Sequence, residues 1–263
     1  MQEIINIKKS IVRMTHRSKS SHVGSCLSIC EILYCLYFKV MNIDPHDPHK
    51  IDRDKFILSK GHGSAALYAT LAERGFFPKD KLEGFYMDHG TLPGHLDMQA
   101  VDGIEASAGS LGHGLSLGLG MAIANKCDSN PGRIFVLLGD GECNEGSVWE
   151  AVMLAATLRL QNLTAIVDMN GLQGFGRTCE VIDQTNMTER WAAFGWEVHE
   201  ADGHDMGQLE KVFGFHQKGP KAIIAKTVKG KGVCFMEDRL EWHYKSPNDE
   251  QCESALRELD GKS

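Results

Sequence analysis

The sequence lacks the long apolar segments that membrane-spanning and exported chains carry. No apolar run approaches the roughly 20 residues that a helix needs to cross a bilayer. Residues 2–18 have the pattern of an amphipathic helix, with Ile4, Ile7, Ile11 and Met14 at helical spacing, and the N-terminus has no apolar signal-peptide core. These absences argue against a membrane protein and predict a cytoplasmic one.

Concentrated basic charge and paired metal-binding thiols are also missing. The net charge is −7 and no Lys or Arg block stands out, so nothing predicts nucleic-acid binding. There is no C-x-x-C pair, and Cys26 with Cys30 would place only two thiols on one helix face, too few for a zinc site. The eight cysteines are dispersed through a chain too long to be a small disulfide scaffold. We expect them to be reduced and mostly buried.

What the sequence does contain is a regular alternation of strands and helices. Apolar strands are predicted at residues 55–59, 134–138, 163–168, 196–200 and 222–228. Helical patterns precede, separate and follow them, at 2–18, 64–74, the second half of 109–125, and 148–160. This alternation predicts an α/β fold in which helices cover both faces of a central parallel sheet. With 263 residues and a hydrophobic fraction of 42%, the whole of 1–263 is expected to form one domain.

Polar patterns predict where further helices begin or end. The capping patterns are Ser28-x-x-Glu31, Asn186-x-x-Glu189 and Asp205-x-x-Gln208. Gly75 predicts the end of the helix at 64–74. Residues 84–108 are expected to be irregular, and residues 246–249 look like a linker.

Two of the predicted strands end in residues suited to a divalent cation. Gly139-Asp140-Gly141 follows the strand at 134–138, and Met169-Asn170-Gly171-Leu172 follows the strand at 163–168. Ligands of open α/β sheets bind beyond the carboxyl ends of the strands, where Asp140 and Asn170 offer hard oxygen ligands for Mg²⁺ or Ca²⁺. Taken alone, Gly-Asp-Gly is better explained as a turn with a capping Asp. The interval of about 30 residues, one strand-helix-strand crossover, favours the site.

Residues 139–170 resemble the fingerprint of thiamine diphosphate enzymes. Gly-Asp-Gly-Glu-Cys-Asn-Glu-Gly-Ser-Val-Trp-Glu-Ala at 139–151 is similar to the transketolase version, and the likeness covers about residues 5–250. It implies Asp140, Asn170 and the backbone carbonyl of Leu172 as ligands of Mg²⁺, with Ca²⁺ or Mn²⁺ as alternatives. It also implies that Asn170 and Gly141 contact the cofactor.

Four histidines lie in contexts similar to those of the same family. They are His22 in Ser-Ser-His-Val-Gly, His62 in Leu-Ser-Lys-Gly-His, His95 in Pro-Gly-His and His243 in Glu-Trp-His-Tyr-Lys-Ser-Pro. The resemblance implies that His62 and His243 lie near the cofactor diphosphate, with Lys229 of Lys-Gly-Lys-Gly among the cofactor-binding residues. It implies that His22, His95 and His243 line the substrate channel. Histidine suits proton transfer near neutral pH.

A glycine-rich loop and one glutamate complete the implied site. Residues 109–114 resemble a family loop whose backbone touches the cofactor, which implies contacts from Gly109, Ser110 and Leu111. Ser110 stands where the family has Pro, which loosens the turn, and close helix packing is an alternative explanation for the glycines. Glu145 resembles a member of the carboxylate network between two active sites. A solvated residue at a helix start is its alternative explanation.

The resemblance accounts for only the first part of a transketolase. The family places the glutamate that activates the cofactor on a pyrimidine-binding domain, and no segment here replaces it. We therefore expect a separate chain to carry that domain and the C-terminal domain, in an α2β2 assembly, and the Met start and polar end favour a natural half. The implied reaction transfers a two-carbon ketol unit from a ketose to an aldose, commonly as sugar phosphates.

Three other functions are compatible with parts of the pattern. The α subunit of a 2-oxoacid dehydrogenase also pairs with a second chain and shares the Gly-Asp-Gly…Asn block, but it lacks these histidine contexts. A deoxyxylulose phosphate synthase fragment differs in the residues that follow Gly-Asp-Gly. A non-catalytic regulatory subunit is disfavoured because Asp140, Asn170 and the four histidines are all present.

Overall fold

A computed structural model of the chain describes residues 2–261. Within that range ten α-helices occur: α1 Gln2–Ser18, α2 Val23–Leu27, α3 Cys30–Cys35, α4 Ser64–Arg74, α5 His113–Cys127, α6 Gly146–Thr157, α7 Thr178–Val181, α8 Met187–Ala193, α9 Met206–Gly214 and α10 Asp249–Leu259. The strands are β1 Lys55–Leu58, β2 Ile134–Gly139, β3 Leu163–Met169, β4 Leu172–Gln173, β5 Gly176–Arg177, β6 Glu197–Asp202 and β7 Lys221–Lys226.

Five of the strands form one parallel sheet in the order β1-β2-β3-β7-β6. Each of the five lies within about two residues of a strand predicted from the apolar pattern. Because parallel strands end at the same edge, the turns after β2 and β3 lie side by side, with Gly139 opposite Asp168. The predicted α/β class is confirmed.

Helices cover both faces of this sheet, as predicted. Along β2, Phe135 and Leu137 pack with the apolar faces of α1 to α4, α9 and α10. Val136 and Leu138 point the other way and pack with α5, α6 and α8. Because the inner strands are buried on both faces, β2 is apolar throughout and β3 nearly so, whereas the edge strand β6 carries polar residues and is mostly not buried.

The segment after α1 differs from the prediction. Ser28 and Glu31 do not form a capping box: the residue before α3 is Ile29, and no side chain caps that helix. The Ser28 hydroxyl instead donates to Asp168 at 2.8 Å, and Glu31 pairs with Lys8 at 2.6 Å. Buried polar groups on neighbouring elements therefore take both side chains away from the helix end.

Two further capping predictions have mixed outcomes. Asp205 caps α9 by accepting from the backbone N–H groups of Gly207 and Gln208, as predicted. Asn186 does precede α8, but its side chain makes no capping hydrogen bond. The predicted position of that helix is confirmed, and the predicted side-chain cap is wrong.

The segment predicted as a linker begins a helix. Asn248 accepts from the Gln251 backbone, and the Gln251 side chain returns a hydrogen bond, which forms a capping box for α10. Cys252, Ala255 and Leu259 of α10 are buried in the core. Asn248 and Asp249 therefore begin a helix, and only Ser246 and Pro247 remain an irregular connection.

The structure also bears on the thiols and on membrane insertion. Within residues 2–261, no helix is long and apolar enough to span a bilayer. The eight cysteines are free, and those at 26, 30, 35, 143 and 252 are buried. The remaining three are exposed, so most of the thiols pack inside the protein.

Candidate active site

A cavity of about 430 Å³ lies beyond the carboxyl ends of β2 and β3. Its wall includes most of the residues that the sequence predicted for a cofactor and metal: His62, Leu111, Asp140, Gly141, Glu145, Asn170, Leu172, Lys229 and His243. Gly109 and Ser110 are not in this wall and lie exposed in the loop before α5. A cavity at this edge of a parallel sheet is the usual place for a ligand.

Asp140 is held rigidly at the end of β2. It is 2% exposed, and one carboxylate oxygen accepts from its neighbour Gly141 at 2.7 Å. The other accepts from the Gly171 N–H at 2.7 Å and from the Thr178 hydroxyl at 3.0 Å. Burial, and then the Asp168 carboxylate, raise the pKa of Asp140 above its ordinary value. A raised pKa means that the surroundings disfavour the charged form, so the carboxylate gains from a nearby cation.

Asn170 and Leu172 form a tight turn beside Asp140. The Asn170 amide nitrogen donates to Asp168 at 2.8 Å, which fixes the orientation of the amide. Its oxygen accepts from the Leu172 N–H at 3.0 Å. The Leu172 carbonyl in turn accepts from the Lys229 ammonium at 3.1 Å.

The residues present fit a magnesium ion that is completed by a phosphate ligand. Among residues 2–261 no group of three His, Cys, Asp or Glu side chains has metal-binding geometry. The predicted ligands instead provide one carboxylate, one amide oxygen and one backbone carbonyl, all of them hard oxygen donors. Mg²⁺ is commonly held by one or two carboxylates, with substrate phosphates and water filling the rest. The Lys229 ammonium already brings positive charge to one of these oxygens.

A buried ion pair beneath the cavity was not predicted. Lys60 and Asp168 are 1% and 0% exposed, and their charged groups lie 2.6 Å apart. Lys60 also donates to the Ser25 carbonyl at 2.9 Å. Burial would raise the pKa of Asp168, but Lys60 outweighs it and holds that pKa low. Lys60 lies inside the Leu-Ser-Lys-Gly-His block, so its position beside His62 was the available signal.

The four predicted histidines lie close together, and two of them, His62 and His243, line the cavity. The His22 ring lies 5.1 Å from that of His62, 4.9 Å from that of His243 and 6.1 Å from that of His95. The His62 and His243 rings are 5.5 Å apart. His22 has a left-handed backbone, with φ of 74°, and its N–H donates to the His243 carbonyl at 3.1 Å. The structure thus brings together residues from four separate segments.

The electrostatics of this cluster keep its half-buried imidazoles neutral. Burial, reinforced by His95 and Lys229, lowers the pKa of His22 to about 4. Burial and Lys229 lower the pKa of His243 to about 3, and burial and Lys60 hold the pKa of His62 well below its usual range.

Lys229 is a buried cation in direct contact with this cluster. It is 1% exposed, and its ammonium donates to His243 Nδ1 at 2.9 Å. Burial and Lys60 lower the pKa of Lys229 to about 8, against the opposing pull of Asp140 and Asp168. Since Nδ1 of His243 accepts, the proton of that neutral ring resides on Nε2.

A buried glutamate connects the glycine-rich loop to the sheet. The Glu142 carboxylate accepts from the Gly112 N–H at 2.9 Å and from the Gly139 N–H at 3.0 Å. It also accepts from the Ser59 hydroxyl. Glu145, by contrast, is exposed at the start of α6, and its side chain makes no capping hydrogen bond. The sequence singled out the second of these glutamates and missed the first.

One orphaned polar group faces the same cavity. The side-chain nitrogen of Gln173 is buried and has no hydrogen-bond partner among residues 2–261. Its oxygen accepts from Asn144 at 3.4 Å. An unpaired amide N–H in a cavity wall is a donor available to a bound ligand.

Comparison with known proteins agrees with this geometry. The family model described as transketolase, thiamine diphosphate binding domain, matches residues 2–260. The chain is 42% identical over 255 residues to one subunit of the apulose-4-phosphate transketolase of Phocaeicola vulgatus, covering 96% of this chain and 90% of that one. It is 42% identical over 242 residues to a 6-deoxy-6-sulfo-D-fructose transketolase subunit of a Clostridium species, covering 91% and 88%.

A solved structure shows the same fold in a longer protein. The transketolase of Campylobacter jejuni superimposes with a TM-score of 0.89 at 27% identity, and the match covers 99% of this chain but 43% of that one. This chain therefore spans less than half of a full-length enzyme. With a family match over nearly its whole length, the chain belongs to the transketolase family and corresponds to the thiamine diphosphate binding domain of its members.

Proposed function

We propose that this chain is the diphosphate- and metal-binding subunit of a two-chain transketolase. The reaction moves a two-carbon ketol unit from a ketose or ketose phosphate to an aldose or aldose phosphate. The observation that carries the proposal is the cavity that joins Asp140, Asn170 and Leu172 to the buried Lys60 and Lys229. Hard oxygen donors beside two buried ammonium groups suit a magnesium diphosphate.

The residues of the cavity have separable roles in this proposal. Asp140, Asn170 and the Leu172 carbonyl hold the cation, and Lys60 and Lys229 offset the charge of the diphosphate. Thiamine diphosphate, when bound, supplies the electron sink that C–C bond cleavage requires.

The histidines handle the substrate rather than the metal. Because His22 and His243 have low pKa values, both rings are neutral at pH 7. With Nδ1 of His243 occupied by Lys229, its Nε2–H can donate a hydrogen bond to a sugar oxygen, while the neutral His22 ring can exchange hydrogen bonds with sugar hydroxyls. His62 follows Lys60 closely in the chain and lines the cavity, and it is assigned to the diphosphate. His95 is exposed, with its ring near that of His22, and is assigned to the substrate channel.

A partner chain is part of the proposal. The Phocaeicola and Clostridium relatives are both named as subunits, and this chain covers 90% and 88% of their lengths. We propose that the partner carries the pyrimidine-binding and C-terminal domains and that two copies of each chain assemble. The cavity wall contributes Phe175, which is 87% exposed, and Ile182, which is 53% exposed, as apolar surface for that partner. The proposed compartment is the cytoplasm.

Ketol transfer by purified proteins tests this function. The chain is assayed alone and with the neighbouring gene product, with Mg²⁺ and thiamine diphosphate, and a panel of ketose phosphates that includes apulose 4-phosphate. We expect activity only in the mixture and a loss of about 100-fold or more in Asp140→Ala. Asp47→Ala, which removes an exposed carboxylate elsewhere, is the matched control. Cofactor binding without turnover in any mixture would favour a dehydrogenase-like or regulatory subunit instead.

A further inference from the structure

One histidine that the family contexts leave unassigned lies in an ordered network behind the cavity. His204 follows β6, and its side chain is only 12% exposed. Its Nδ1 lies 3.0 Å from a carboxylate oxygen of Glu31. Its Nε2 accepts from the backbone N–H of Val228 at 2.8 Å. Glu31 and Val228 therefore hold the ring at both nitrogens. The other oxygen of Glu31 pairs with Lys8 at 2.6 Å.

These contacts specify one protonation state of the ring. A backbone N–H only donates, so Nε2 of His204 must be the unprotonated nitrogen. The proton of the neutral ring is then on Nδ1, where it donates to the Glu31 carboxylate. Burial would raise the pKa of Glu31, but the His204 hydrogen bond and the Lys8 charge outweigh it and keep that pKa low. The carboxylate therefore stays ionised as the acceptor that fixes this tautomer.

The segment that His204 holds carries the buried lysine of the cavity. Val228 immediately precedes Lys229 in the turn that follows β7. The Lys229 ammonium makes two polar contacts, to the Leu172 carbonyl at 3.1 Å and to His243 at 2.9 Å. Because this side chain is buried, a shift of the backbone before it changes where the ammonium lies relative to these two partners.

Other anchors of the same turn leave the Val228 N–H to His204. Thr227 donates its hydroxyl to Asp168, and the Gly230 N–H donates to the Gly24 carbonyl at 2.9 Å. The Lys229 carbonyl accepts from the Asp238 N–H at 2.9 Å. These bonds lie on either side of the Val228 peptide, and the imidazole fixes the peptide between them.

We propose that His204 is a positioning residue, which fixes the Val228 peptide and thereby sets the Lys229 ammonium against the cofactor diphosphate. The inference rests on the proposed function, because it presumes that Lys229 faces a diphosphate. Glu31 orients the imidazole of His204, and the imidazole accepts from the loop backbone at Val228. His204 itself touches no substrate.

Two substitutions separate the two contacts of the ring. Gln places an amide oxygen near the position of Nε2, so His204→Gln retains an acceptor for Val228 and loses the contact with Glu31. Asn places its amide near Nδ1, so His204→Asn retains the Glu31 contact and loses the acceptor. Both variants remove the imidazole ring. His204→Gln keeps the hydrogen bond to Val228, and His204→Asn keeps the one to Glu31.

Cofactor affinity is measured by titration calorimetry with thiamine diphosphate and Mg²⁺ on the complex with the partner chain. We expect His204→Asn to weaken binding by about tenfold or more and His204→Gln by less than about threefold. Thermal unfolding of both variants checks that they lose stability to a similar extent. Equal weakening in the two variants, or greater weakening with Gln, overturns the positioning role. If the unaltered complex itself fails to bind the cofactor, the proposed function fails, and the inference fails with it.

The tautomer gives a second, independent readout. Nitrogen-15 shifts of the His204 ring in the unaltered chain are expected to show a protonated Nδ1 and an unprotonated Nε2 at pH 7. A ring protonated on Nε2 cannot accept from Val228 and would contradict the proposal regardless of how the variants behave.

Discussion

At the scale of single residues, the site depends on charges that are buried in pairs. Asp168 does not face the cavity as a ligand, yet it fixes Lys60, Asn170 and Thr227 at once. Removing one partner of such a buried pair leaves the other charge uncompensated, which typically costs about 3–5 kcal/mol. The family motif names Asn170, but the residue that aims its amide lies two positions earlier.

The low histidine pKa values predict a specific sensitivity to acid. The pKa of His22 falls from 6.5 in the unfolded chain to about 4 in the folded one. Between these values the unfolded state binds more protons, so His22 stabilises the fold above pH 6.5 and this contribution is lost as the pH falls through 4. One such site changes the free energy of unfolding by up to about 1.4 kcal/mol per pH unit.

Replacing His22 is therefore expected to make the free energy of unfolding less dependent on pH below neutrality. Urea unfolding of His22→Gln at pH 7, 6 and 5 is expected to show a smaller loss of stability on acidification than the unaltered chain. His46→Gln, at an exposed position, is the control and is expected to follow the unaltered chain. A parallel loss in His22→Gln would mean that His22 titrates near its ordinary pKa in the folded protein. Any strain from the left-handed backbone at residue 22 is independent of pH, so it does not affect the change in stability between pH values.

The single-residue predictions from the sequence name many residues of the cavity wall where a motif is contiguous, but not all of them. Asp140 and Asn170 were found because each directly follows an apolar strand, and Lys60 was overlooked although it adjoins His62 in the same block. Glu142 lies in the Gly-Asp-Gly-Glu run and was passed over, since its partner Gly112 is 30 residues away. His204 carries no local signal, because its partner Val228 is 24 residues away. Contacts of this kind depend on how the sheet brings distant loops together.

At the scale of elements, the strands were predictable and some helix starts were not. A strand buried on both faces has an apolar sequence whatever it packs against, so β2 and β3 are visible in isolation. A capping side chain can be taken by a partner far away in the sequence. Ser28 fits the capping pattern, yet its hydroxyl donates to Asp168 in the core. The helix α10 was missed because its capping residues, Asn248 and Gln251, follow a proline and resemble a turn.

Glu142 is the element-scale test, because one carboxylate joins the end of β2 to the loop before α5. Glu142→Gln replaces an acceptor oxygen with a donor NH₂ facing the N–H groups of Gly112 or Gly139. Leaving a buried donor unsatisfied costs about 1–3 kcal/mol, and we expect a loss of stability of that order. Chemical denaturation measures it, with the exposed Glu150→Gln as the control. An unchanged midpoint would show that the loop is held by other contacts.

At the scale of the whole molecule, the alternation of strands and helices predicts the fold of this chain, but it does not predict how the chain assembles with others. The sheet order and the cavity are properties of this chain alone. The full-length Campylobacter transketolase contains further segments, because this chain covers 43% of it. We propose that a second chain is recognised at the surface around the cavity. There Phe175 and Ile182 expose apolar side chains at the rim instead of packing into the core of the chain.

Phe175 therefore predicts where the partner docks. Its side chain is 87% exposed at the cavity wall, and an exposed aromatic that becomes buried at an interface commonly contributes about 2 kcal/mol or more, roughly a thirtyfold change in affinity. Phe175→Ser is expected to weaken association with the partner to that extent, as measured by analytical ultracentrifugation, without altering thermal unfolding of the chain alone. Ile51→Ser removes a side chain that is 82% exposed just before β1, away from the carboxyl edge of the sheet, and is expected to leave association unchanged. Equal effects of the two substitutions would mean that general surface apolarity, rather than the cavity rim, drives assembly.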